Sequence, residues 1–181
     1  VVAIGCMFAA AVAAQPNRPE STPRFGFGNP ASAAEIAAWD IDVRPDGKGL
    51  PAGRGSVAQG QVIYDAQCAS CHGTFGESND YMPIAGGIGT LSTAQPMRTT
   101  GSKLNHATTL WDYINRAMPW TAPKTLTAEE VYAVTAFILN LGGVRDTNFT
   151  LSDPNIAQVQ DKLPNRNGMV LTEDLWNTAG K

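Results

Sequence analysis

The chain has 181 residues, of which thirteen are basic and sixteen acidic, for a net charge of −3. That length suits one domain with extensions, and the charge balance offers none of the basic surface that nucleic-acid binding requires. Eighteen glycines and twelve prolines imply much irregular backbone.

Residues 1–14 are apolar apart from Cys6 and end in Val12-Ala13-Ala14 before Gln15. The pattern fits the hydrophobic stretch and small-residue cleavage site of a secretory signal peptide, here without a start methionine or basic beginning. Cys6 after Ala3-Ile4-Gly5 weakly suggests a lipoprotein acceptor, but the residues after it stay hydrophobic, which argues against lipidation. The run is too short for a stable membrane span.

Residues 15–55 read as an extended arm with one short helix. Pro, Arg, Asn and Gly dominate up to residue 31. Ser32 and Glu35 then form a capping box that predicts a helix through Ala38. Asp40, Asp42 and Asp46 faintly suggest a calcium loop, but the twelve-residue ligand pattern is incomplete. A solvated turn at Asp46-Gly47 is the better reading.

Ser56 is the predicted N-cap of the next helix, with Val57, Val62, Ile63 and Tyr64 as its apolar contacts. Gly60 and Tyr64 make a Gly-x-x-x-Tyr pair. Glycine inside a helix costs up to ~1 kcal/mol relative to alanine, so Gly60 predicts close approach of another helix. The partner expected is the segment after Thr127. There Thr127 and Glu130 form a second capping box, and Val131, Val134, Ile138 and Leu141 repeat at helical spacing. Gly142-Gly143 ends that helix. A further helix is predicted over residues 107–117, with Leu110, Trp111 and Ile114 as its stripe. No stretch alternates well enough to predict a strand. The domains expected are therefore a leader at 1–14, an arm at 15–55, a domain at 56–142 and an irregular tail at 143–181.

Chemistry concentrates in Cys68-Ala69-Ser70-Cys71-His72. Two cysteines separated by two residues, with histidine directly after the second, are the attachment signature of a c-type haem. Each thiol forms a thioether with one porphyrin vinyl, and His72 projects toward the iron as an axial ligand. A redox dithiol or half of a zinc site are the competing readings. Zinc lacks a second Cys-x-x-Cys or His-x-x-x-His, and a dithiol motif would favour a strand-rich setting that the flanks do not predict. Covalent haem c also favours export to the periplasm, because attachment takes place outside the cytoplasm.

A closed electron-transfer haem needs a second axial side chain, and Met82, Met97, Met118, Met169 and His106 are the candidates. Met82 is too close to His72 in the chain to wrap to the opposite face. Met97, at the end of the loop from Gly73, has no intervening helix to carry it there. Met118 lies just past the predicted 107–117 helix, where Pro119 stops the helix and turns the thioether inward. Core filling is the ordinary role of the other methionines. His106, at a helix start, fits a cap or surface residue. The Pro83 carbonyl is a candidate acceptor for the His72 Nδ1 proton, with an ordinary loop proline as the alternative.

These features together resemble class I cytochromes c, an all-α fold around one covalent haem. More narrowly, the chain resembles the cytochrome subunit (SoxD) of the sulfane dehydrogenase SoxCD. The resemblance is carried by residues 38–51 (AWDIDVRPDGKGLP), 68–76 (CASCHGTFG), 105–119 (NHATTLWDYINRAMP) and 163–168 (LPNRNG). It implies thioethers at Cys68 and Cys71, His72 and Met118 on iron, and a catalytic partner that carries a molybdenum cofactor and oxidises sulfane sulfur. That family's subunit often has a second haem domain, whereas this sequence shows one attachment motif.

The expected function is an electron-transfer subunit in a hetero-oligomer with a SoxC-like molybdenum dehydrogenase. A downstream cytochrome or oxidase would receive the electrons, and the chain alone would do no bond chemistry. An independent periplasmic carrier and the cytochrome partner of a sulfite dehydrogenase are the alternatives. A catalytic haem, as in a peroxidase or sulfur-ligating transferase, would require an exchangeable iron position.

Overall fold

The computed structural model describes residues 27–78 and 81–163. Residues 1–39 and 40–181 form two separate units. In the first, helix α1 (Ala33–Trp39) begins where the sequence predicts. Ser32 Oγ and N both donate to Glu35 Oε2, and Glu35 N donates back to Ser32 Oγ. None of its residues is buried.

The second unit is built around α5 (Ala128–Leu141), whose residues Val131 to Leu139 are all buried. A helix buried on every side belongs at the centre of a bundle rather than on its surface. Its N-terminus is closed by the Thr127–Glu130 capping box, and Gly142 follows its last turn.

Helix α2 (Val57–Gln67) lies against α5 and is N-capped by Ser56, with Gln59 completing the box. A Cβ at Gly60 would run into the Ala133 carbonyl and the Phe137 side chain of α5. The glycine therefore marks the close helix approach that its position predicts. One turn on, the Tyr64 ring meets Phe137 at 5.0 Å between centroids. Val57 and Tyr64 are buried and Ile63 partly so, but Val62 is 71% exposed and is not a core contact.

Helix α4 (Ala107–Ala117) occupies the residues predicted for it and buries Leu110, Trp111 and Ile114. Trp111 stacks obliquely on Tyr132 of α5, with centroids 5.3 Å apart. A short turn, α3 (Ala69–His72), follows α2.

Two short strands depart from the expectation of none. β1 (Arg54–Ser56) pairs antiparallel with β2 (Thr150–Ser152), placing Gly55 opposite Leu151. Three residues are too few to show an alternating pattern, and the partners are far apart in sequence. Past β2, α6 (Ile156–Val159) adds Ile156 and Val159 to the core, and a 3-10 turn covers Gln160–Lys162. Among the described residues the fold is mainly helical, with this single two-stranded ribbon.

Before β1, residues 42–50 close on themselves as the turn predicted at Asp46-Gly47. Arg44 N donates to the Lys48 carbonyl, and Lys48 N donates to Asp46 Oδ1. The Tyr132 hydroxyl donates 2.9 Å to the Pro51 carbonyl and fastens the end of this loop to α5.

Candidate haem site

Cys68 ends α2 and precedes α3, with φ −121° and ψ −38°, so the helical path breaks at the first cysteine. Helical bonding then resumes: Cys71 N and His72 N both donate to the Cys68 carbonyl, at 3.1 and 3.0 Å. Both thiols and the imidazole thus belong to one turn. All three side chains are half-buried, and neither cysteine is in a disulfide.

The environment separates the competing readings of the motif. Burial, and secondarily the neighbouring Cys71, pushes the Cys68 thiol up to about 11. A thiol that stays protonated at neutral pH is a poor redox nucleophile, because reactive cysteines have lowered values. Burial lowers the His72 imidazole below its usual range, favouring the neutral form that ligates a metal. His72 Nδ1 is buried with no hydrogen-bond partner. Two thiols, a neutral imidazole and one unsatisfied ring nitrogen fit haem c.

The chain beyond the motif turns sharply back. Gly73 adopts φ +78°, and a Cβ there would meet the Glu77 carboxylate. The buried Tyr64 hydroxyl donates 2.9 Å to the Gly73 carbonyl. Ser78 N donates to the His72 carbonyl, and the Gly76 carbonyl accepts from both Ile84 N and Ala85 N. These bonds fold the Ile84–Ala85 segment, with half-buried Pro83 just before it, back onto Gly76. No hydrogen bond joins the Pro83 carbonyl to His72 Nδ1.

Met118 is the C-cap residue of α4. Its N–H donates 3.1 Å to the Ile114 carbonyl while its own backbone is already extended. It is half-buried, and with Cys68, Ile63, Ile84 and Leu104 it fringes the core. The motif and the Met118 corner are also linked through aromatic rings. His72 lies 6.2 Å from Tyr81 between centroids, and Tyr81 lies 6.5 Å from Trp120.

The other candidates are placed differently. Met82 and Met97 are 70% and 42% exposed, and Met169 lies outside the described residues. His106 is the N-cap residue of α4 but makes no side-chain cap bond, and its Nδ1 is buried without a partner. It thus holds the N-cap position that its place in the sequence suggested, half-buried and without a side-chain cap bond. Leader residues 1–14 also lie outside the described residues. Among the described residues, no helix is long and apolar enough to cross a membrane.

Sequence reasoning missed Tyr81, Trp120 and Arg116. The aromatic directly after Met118-Pro119 was a usable signal for Trp120. Tyr81 carried no pattern of its own. Arg116, two residues before Met118, showed only as a basic residue in the last turn of a predicted helix.

The family described as "Cytochrome C oxidase, cbb3-type, subunit III" matches residues 55–138. No curated protein sequence matches the chain significantly. Among solved structures, the crystal structure of the sulfane dehydrogenase SoxCD from Paracoccus pantotrophus contains a similar chain. The two are 38% identical with a TM-score of 0.73, over 86% of this chain and 76% of that one. Residues 55–138 make up less than half of the chain, so this likeness reaches well beyond the generic cytochrome module. With its Cys-x-x-Cys-His turn and helical frame, the chain belongs to the family of c-type cytochromes, electron-transfer haem proteins, that includes the cytochrome subunit of sulfane dehydrogenase SoxCD.

Proposed function

We propose that this chain is the electron-transfer subunit of a periplasmic, molybdenum-containing dehydrogenase that oxidises sulfane sulfur in thiosulfate or sulfur oxidation. The observation that carries the reading is the extent of the likeness to the SoxCD chain, which covers 86% of this chain at 38% identity. A carrier sharing only the haem module would match over that module alone.

Cys68 and Cys71 would hold one haem c through thioethers, with His72 and Met118 as the side chains that would bind its iron. Bound there, haem c supplies a one-electron acceptor and donor at neutral pH. Methionine opposite histidine sets a higher potential than a second histidine. With haem attached, the Pro83 carbonyl would accept from His72 Nδ1, a bond that this structure does not form, orienting the ring and strengthening it as a ligand. What supports this is a buried Nδ1 in need of an acceptor and a loop that folds the residues just after Pro83 back onto Gly76.

Residues 56–142 form the haem domain. The segments at 15–55 and 143–181 are the ones that would contact a SoxC-like partner. Residues 1–14 direct export. A downstream cytochrome or oxidase receives the electrons.

The test is reduction of the haem followed by absorbance. Mixed with its dehydrogenase subunit and a sulfane-bearing carrier, the oxidised cytochrome should be reduced within the turnover time of the enzyme. The carrier alone should leave it oxidised. Equal reduction with and without the dehydrogenase subunit would refute the assignment.

A further inference from the structure

The guanidinium of Arg116 lies two residues before Met118, in the last turn of α4. Its Nε donates 2.7 Å to Asp112 Oδ1, one turn back on the same helix. Its Nη2 donates 2.6 Å to the Ile41 carbonyl and sits 3.3 Å from Asp42 Oδ1. The far end of this contact is not a loose strand. Residues 42–50 close on themselves through the Arg44–Lys48 and Asp46–Lys48 bonds. Gly49, at φ +93°, packs so tightly on the Asp42 carbonyl that a Cβ would collide with it. The Pro51 end of the loop is fixed to α5 by the Tyr132 hydroxyl. A continuous strut therefore runs from α5 through Tyr132, Pro51 and the 42–50 turn to Ile41, and through Arg116 to the end of α4.

We propose that Arg116 is the positioning residue for Met118: its fork ties the C-terminal turn of α4 to the Ile41–Asp42 backbone, holding the thioether where it stays on the iron. This inference rests on the axial role given to Met118 above. Exposed ion pairs contribute little, and Asp42, 80% exposed on its side chain, adds little here. The work falls to the bonds to the Ile41 carbonyl and to Asp112, whose side chain is 24% exposed. Both are charge-assisted, and a planar fork serves two acceptors in fixed directions as lysine does not. A positive charge in the last turn also suits the helix dipole.

The test uses ferric holoprotein and free imidazole, which binds iron only when Met118 lets go. The Arg116→Gln variant should keep its covalent haem and bind imidazole at least about tenfold more tightly, the effect of losing charge-assisted hydrogen bonds. Its near-infrared sulfur-to-iron band should weaken. Arg116→Lys should show the same direction, and serves if Arg116→Gln yields too little holoprotein. Arg44→Gln, which breaks the exposed Arg44–Asp46 pair of the same loop, should leave imidazole affinity at the parent value. An Arg116→Gln protein with parental imidazole affinity and band but a lower melting temperature would make the residue merely structural and overturn the proposal. Equal gains in Arg44→Gln would overturn it as well. Loss of the band in Met118→Ala establishes the axial reading separately. A parent with no such band would defeat that reading and the positioning role together.

Discussion

The Tyr64 hydroxyl of α2 donates 2.9 Å to the carbonyl of Gly73, the residue that follows His72 of the Cys-x-x-Cys-His motif. The oxygen is buried, and its burial holds the phenol well above its usual range. A neutral phenol can donate, so this bond closes the motif turn onto the helix that leads into it. Tyr64→Phe keeps the ring packed on Phe137 and removes only the donor. The holoprotein should lose about 1–2 kcal/mol in denaturant unfolding while retaining covalent haem. An unchanged unfolding midpoint would show that the bond is dispensable.

The contact between Gly60 and Ala133 predicts a larger loss. The obstacle to a Cβ there is backbone as well as side chain, so the neighbours have no cheap way to give. Gly60→Val should destabilise the chain by about 3 kcal/mol or more. Val62→Ser, on the exposed face of the same helix, should stay within about 0.5 kcal/mol of the parent. Similar losses in both variants would contradict the packing described.

Met118→His should lower the reduction potential while leaving the haem attached, because thioether ligation favours ferrous iron relative to a second imidazole. Potentiometry with visible spectra reads both effects. An unchanged potential and spectrum would remove Met118 from the iron.

The α1 cap carries a pH signature. Hydrogen bonds from the Ser32 side chain, then its backbone, lower the Glu35 carboxyl from its ordinary 4.5. A lowered folded value means that the cap's contribution is complete above 4.5 and fades as pH falls through the folded value. By carbon NMR, Glu35 should titrate below 4.5, and Ser32→Ala should move its midpoint back up. A midpoint at or above 4.5 in the parent would show that the capping box does not form in solution.

Much of the frame was legible in the residues because its signals are local. Ser56, Thr127 and Ser32 announce their helices through side chains that bond within three residues. Leu110, Trp111 and Ile114 announce α4 through spacing. Gly60 announced a close helix approach because a glycine there has a cost that only packing explains. The β1–β2 ribbon was not legible: Gly55 and Leu151 are far apart in sequence and are paired only by the tertiary fold. Val62 is apolar and at helical spacing, yet faces away from α5, since spacing alone does not fix which flank a neighbour covers.

At the site, the attachment turn reads directly from Cys68, Cys71 and His72, since its spacing is its chemistry. The Arg116 strut was invisible, because its acceptors are a backbone carbonyl and a carboxylate set by a distant loop. The lack of a bond between the Pro83 carbonyl and His72 Nδ1, and the buried His106 Nδ1, are likewise outcomes of tertiary placement, which no local pattern encodes.

The central claim is residence on a molybdenum sulfur dehydrogenase, and metal content across a sizing column tests it most directly. Protein purified gently from its native host should show iron and molybdenum eluting together, near one to one, at a mass well above the 19.1 kDa of this chain. Iron alone, eluting at the mass of a single chain, would contradict the claim and make the protein a free electron carrier.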